Sequence, residues 1–103
     1  MATLALGRSC LTRYAKLDQA TQKRVQAFAD KCNRLSVAEL AHTAGIHLET
    51  YENQRDPRAR TVRLGDNHRG IVLLVTGSER LVLVDILLHD DADRWMMRNR
   101  FAV

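Results

Sequence analysis

The sequence predicts an α+β domain: two N-terminal helices packed on a mostly antiparallel sheet of four to five strands, closed by a short C-terminal helix. Three observations carry that reading. Apolar residues recur every three to five positions from Leu17 to Leu35, the repeat of a helix with one buried face. Residues 70–76 and 80–88 are almost continuous in Val, Leu and Ile and are split by Gly77-Ser78, which reads as an antiparallel hairpin at the centre of a sheet. Asp90, Asp91 and Asp93 then lead a segment anchored by Ala92, Trp95, Met96 and Phe101, the charge order that suits a helix start. Helices first and strands after make one layered domain, and 103 residues at 46% hydrophobic content supply a single core.

Each element has its own signals. Residues 3–6 add an edge strand. The long helix covers residues 18–35, with Asp18 as N-cap, Val25, Phe28 and Cys32 turned inward and Gln19, Lys23, Gln26 and Lys31 on the other face. Ser36 caps a shorter helix through Val37, Ala38, Leu40 and Ala41, and Gly45 is its natural stop. Ile46, Leu48 and Thr50 alternate with His47, Glu49 and Tyr51, which predicts a strand over residues 46–51, ended by a loop around Asp56 and Pro57. A short strand over residues 61–64 precedes the central hairpin, and the last helix covers residues 90–100 with Arg98 and Arg100 in its final turn.

Composition excludes several classes of function. No window approaches the roughly 18 apolar residues of a membrane span, and Met1 to Leu6 is too short and too poor in basic residues for a secretory signal. A cytoplasmic location with no membrane partner follows as the expectation. Cys10 and Cys32 lack CxxC spacing and read as reduced, packed thiols. Gly-rich phosphate loops, HExxH and GxSxG are all absent, so no cofactor is expected. His42 and His47 have no third ligand nearby, so no metal is expected either.

Charge is the feature that points to a partner. The net charge is +4, and the cations are 13 Arg against 3 Lys. Arginine's planar fork suits phosphate, which favours nucleic acid, RNA or DNA, or an acidic protein. Residues 54–70 hold Arg55, Arg58, Arg60, Arg63 and Arg69 against Asp56 and Asp66, and so carry most of the excess. These five are the candidate nucleic-acid-binding residues. The competing reading is a solvated face, with Arg60 and Arg63 hydrated or paired to Asp66 and Arg69 paired to Asp85 on the neighbouring strand.

Certain stretches resemble the RelE/ParE-like toxin superfold. Gly45-Ile46-His47-Leu48-Glu49 resembles the family's strand entry after the second helix. Arg60-Thr61-Val62-Arg63-Leu64 followed by His68-Arg69-Gly70-Ile71-Val72 looks like its paired arginine strands. His89-Asp90-Asp91-Ala92 and Trp95 are similar to an ending found in the RelE-like domain at the N-terminus of bacterial UvrD-type helicase proteins. The resemblance covers residues 17 to 101, and implies that residues 1–103 are one RelE-like domain, the N-terminal module of a longer helicase-type protein.

By the same resemblance, an active member would cut messenger RNA at the ribosome by turning a ribose 2′-OH on the adjacent phosphate. Arg69 would hold the phosphate and His89 would move the proton, which makes these two the catalytic candidates. Asp93 stands where the pattern has Tyr, and Asp90 and Asp91 flank His89, so the strand end is acidic and repels phosphate. The expectation is therefore an adaptor that binds nucleic acid or a helicase domain without cutting RNA, and His89 is read as a helix cap. The alternative is a toxin with ribosome-dependent ribonuclease activity and an antitoxin partner. A third reading is an XRE-type helix-turn-helix: residues 35–46 resemble its first two-thirds, and Asn53, Arg55 and Pro57 echo its tail.

Overall fold

The computed structural model describes residues 3–43, 46, 48–52, 54–75 and 79–99. Its elements are β1 (Thr3–Leu6), α1 (Arg8–Tyr14), α2 (Gln19–Cys32), α3 (Val37–Ala41), β2 (Ala59–Arg63), β3 (His68–Leu74), β4 (Arg80–Leu88) and α4 (His89–Arg98). The four strands lie in the order β1-β4-β3-β2. β2, β3 and β4 pair antiparallel, while β1 runs parallel to β4 at the sheet's edge.

Helices cover both faces, which is why the central strands are apolar almost throughout. On one face Cys10 of α1, Val25, Phe28 and Cys32 of α2 and Leu40 of α3 pack against Val62, Val72, Leu81, Leu83 and Ile86. On the other, Ala92 and Met96 of α4 cover Ala59, Ile71, Leu73 and Leu87, with Tyr51 and Trp95 partly buried beside them. Thus α2 packs through the residues its period singled out. Met97 is exposed, so among the described aromatic and methionine residues of α4 Met96 is the fully buried one. Phe101 lies outside the described residues, as do Gly45, His47, Asn53, Thr76, Gly77, Ser78 and Arg100.

The caps follow the sequence. The Asp18 carboxylate accepts from the Thr21 N–H at 3.2 Å and its hydroxyl at 2.6 Å, and these bonds hold the Asp18 carboxyl below the usual range. Ser36 and Glu39 form a reciprocal capping box on α3. Gly65 turns the chain between β2 and β3 with φ +114°, where any other residue would be strained.

Three expectations are corrected. A helix absent from the sequence reading, α1, follows β1: it spans two turns and buries only Cys10, too little to show a repeat. The expected strand over residues 46–51 is not formed by its described residues, 46 and 48–51. Glu49 and Thr61 exchange one pair of 3.0 Å backbone bonds, and the segment passes from the α2 side, where Ile46 and Leu48 pack, to the α4 side, where Tyr51 packs. Its described residues form no helix either, so nothing among them serves as a recognition helix for helix-turn-helix binding. Finally, Asp85 does not pair with Arg69. The register shifts between Ile71 and Val72, and at this bulge Asp85 meets Arg13 of α1 at 3.5 Å.

Candidate functional site

Arg63 ends β2 directly opposite Arg69 of β3, and Arg69 in turn faces Leu87 of β4. Two like charges opposite one another on paired strands repel. Among the described residues neither has a carboxylate within ion-pair distance, and Asp66 is exposed. Arg69 is half-buried, with its Nε out of solvent and without a hydrogen-bond partner. The hydroxyl of Thr61, two residues before Arg63 on β2, is likewise buried. An unmatched buried polar group costs about 1–3 kcal/mol. A pair of uncompensated cations, one with a buried and unpartnered nitrogen, suits a bound anion.

The titratable side chains of the candidate site come from the loop before β2 and from α4. Tyr51 is carried in by the Glu49–Thr61 bridge, and its N–H donates to Gln54 Oε1 at 2.7 Å. Gln54 in turn donates to the carbonyls of Asp56 and Ala59, so the loop is tied to the start of β2. The Tyr51 hydroxyl donates to Asp93 Oδ1 on α4. The other oxygen, Asp93 Oδ2, lies 3.5 Å from His89 Nε2 one helical turn earlier. Burial and the bond to Asp93 push the Tyr51 phenol up, while Thr61 and the Arg69 charge pull it down. The phenol therefore stays protonated at neutral pH and acts as a donor. Through Asp93 the phenol is linked to His89, one of the two catalytic candidates, and its pKa also feels the charge of the other, Arg69.

His89 is the first residue of α4, not its cap: Leu88 holds that position and offers no side-chain bond. The His89 N–H donates to the Asn67 carbonyl at 2.9 Å, which fixes the helix start against the β2–β3 turn. Donor atoms of His89, Asp90 and Asp93 lie within 4.8 Å of one another. His89 and Asp90 are exposed and one Asp93 oxygen is taken by Tyr51, so the trio has the make-up of an acidic first helical turn.

The remaining candidate arginines lie apart. Arg58 clamps the fully buried Asp56, with Nε to Oδ1 at 3.1 Å and Nη2 to Oδ2 at 3.0 Å, and this bond pushes its guanidinium pKa up. Arg60 folds back onto the carbonyls of Pro57 and Ala59. Arg55 anchors α4 through its backbone N–H to the Met96 carbonyl at 3.0 Å, and is otherwise exposed. Sequence reasoning missed Tyr51 and Thr61. Thr61 had a signal in its place between Arg60 and Arg63; Tyr51 had none, because its partner lies on the last helix.

No protein-family model and no curated protein matches the chain. Solved structures do. The chain is similar to one in the archaeal RelE-RelB complex from Pyrococcus horikoshii OT3, with TM-score 0.66 and 15% identity over 84% of this chain and 93% of that one. It is similar to one in the YoeB-YefM complex from Staphylococcus aureus, with TM-score 0.62 and 10% identity over 86% and 98%. A YoeB/ParE toxin from Agrobacterium tumefaciens gives TM-score 0.60 and 14% identity over 84% and 98%. The fold is RelE/ParE-like.

Proposed function

We propose that this chain is a toxin of RelE-like type that cuts messenger RNA on ribosomes and is held silent by a separate antitoxin chain. One observation carries the reading: the uncompensated Arg63–Arg69 pair on the sheet, together with a His89–Asp93 contact whose carboxylate is held by the Tyr51 phenol. The fold likeness supports it, since the similar chains are a named toxin and members of complexes with RelB and YefM. It turns the reading away from a non-cutting helicase adaptor.

The reaction needs few groups. A proton leaves the ribose 2′-hydroxyl for the His89 imidazole, the 2′-oxygen bonds to phosphorus and the bond to the 5′-oxygen breaks. That oxygen takes a proton from water, and the imidazolium returns its own to solvent. The products are a 2′,3′-cyclic phosphate and a 5′-hydroxyl. Negative charge grows on the non-bridging oxygens as the new bond forms, and the Arg69 guanidinium, with Arg63 beside it, stabilises that charge. An anion also relieves the repulsion between the two arginines.

Inducible expression with mapping of transcript ends tests this. Growth arrest and new 5′-hydroxyl ends are expected within translated reading frames and not in a reporter whose start codon is removed. Arg69→Ala lowers the cleavage rate by about 10²- to 10³-fold, the usual loss for one charge-stabilising donor. A parent chain that neither arrests growth nor cuts RNA restores the adaptor.

A further inference from the structure

We infer that Asp93 positions His89 for proton transfer and that Tyr51 holds Asp93 in place to do so. The inference rests on the ribonuclease reading for its chemistry, and on three side chains from two elements for its geometry.

A histidine on the first turn of a helix, half exposed as His89 is, rotates about its ring axis and exchanges between two neutral forms with the proton on either nitrogen. Such a ring offers its base to substrate only part of the time. A carboxylate against one nitrogen selects the form with the proton there and leaves the other nitrogen bare. Asp93 Oδ2, 3.5 Å from Nε2, is so placed, which leaves Nδ1 to accept the 2′-hydroxyl proton.

An exposed pair one turn apart on a helix is ordinarily weak, because both side chains move freely. Asp93 is not free. Its Oδ1 accepts the hydroxyl of Tyr51, a residue 42 positions away in sequence whose ring is packed against the cluster of Ile71, Leu73 and Met96. That anchor fixes the carboxylate's rotation and leaves a single oxygen to face the imidazole. Asp90 lies near the same ring but is exposed, and Asp91 is drawn 3.2 Å from Arg94, so neither has a comparable anchor. The residue that the sequence reading took as disabling, for want of a phenol at position 93, instead receives a phenol from the loop before β2.

Nitrogen-15 spectra of the imidazole test the positioning without any substrate. At a pH where His89 is neutral, its proton is expected on Nε2 in the parent. In Asp93→Ala the fraction carrying the proton on Nδ1 rises severalfold, and Tyr51→Phe, which keeps the ring's packing, gives an intermediate value. Asp93→Asn, which keeps an acceptor oxygen of the same shape, restores much of the parent spectrum. In cleavage assays Asp93→Ala lowers kcat with KM unchanged, and adding Tyr51→Phe to it has no further effect, because the phenol acts only through the carboxylate. An unchanged proton position in Asp93→Ala and Tyr51→Phe overturns the inference even if the parent cuts RNA. A fixed Nε2 proton in a parent that cuts no RNA overturns the ribonuclease reading and leaves the positioning standing.

Discussion

Gly70 shows how closely single residues are fitted here. A Cβ at this point of β3 would sit 2.9 Å from Leu64 Cδ1, Leu83 Cδ1 and Val62 Cγ1, all buried side chains with little room to yield. Gly70→Ala is therefore expected to destabilise by about 1–3 kcal/mol, read as a lower urea midpoint at unchanged slope. The two thiols make a second case. Burial pushes Cys10 and Cys32 from 9.0 up to about 11, with Asp85 adding to the rise at Cys10. A folded-state value above the unfolded one favours the neutral thiol in the native protein. Stability from this source is complete below pH 9 and is lost as pH rises towards 11. The parent should lose stability more steeply across that window than a Cys10→Ala, Cys32→Ala double variant, as urea titrations at several pH values would record. Neither thiol should react with iodoacetamide at neutral pH without unfolding.

The short elements depend on their ends. Five-residue α3 has its Glu39 N–H met by the Ser36 hydroxyl at 3.1 Å and its Val37 N–H by the Glu79 carboxylate at 2.8 Å. Ser36→Ala should cost about 1 kcal/mol, measured by thermal unfolding. Such features were legible because they are local: Asp18, Ser36, the spacing of Val25, Phe28 and Cys32, and the bounds of β1 and β4 all state themselves within a few residues. What escaped depends on distant partners. The alternation from Ile46 to Tyr51 has the period of a strand, yet its apolar residues serve two different cores. Asp85 looked like a match for Arg69 until the bulge gave it to Arg13. For the candidate site, the arginine pair was visible in the sequence, whereas the contact between Tyr51 and Asp93 joins parts of the chain that no local pattern links.

At the scale of the molecule, the helices cover the two faces of the sheet unequally. α1, α2 and α3 bury one side, while α4 covers only part of the other and leaves the Arg63 end of β2 exposed. None of the helices among the described residues is long and apolar enough to cross a membrane. The parallel pairing of β1 has a consequence for how this shape is reached in time. Thr3 meets Arg80 and Leu6 meets Leu83, so the first strand has no partner in the sheet until β4 is present. Contacts this far apart in sequence close late, because the chain entropy they cost is recovered only once the hairpin exists to receive them. Leu4→Ala should thus speed unfolding and leave the refolding rate nearly unchanged, whereas Ile71→Val in the hairpin should slow refolding, as stopped-flow measurements would separate. A first strand that docks last leaves the outer edge of β4 open until β1 arrives.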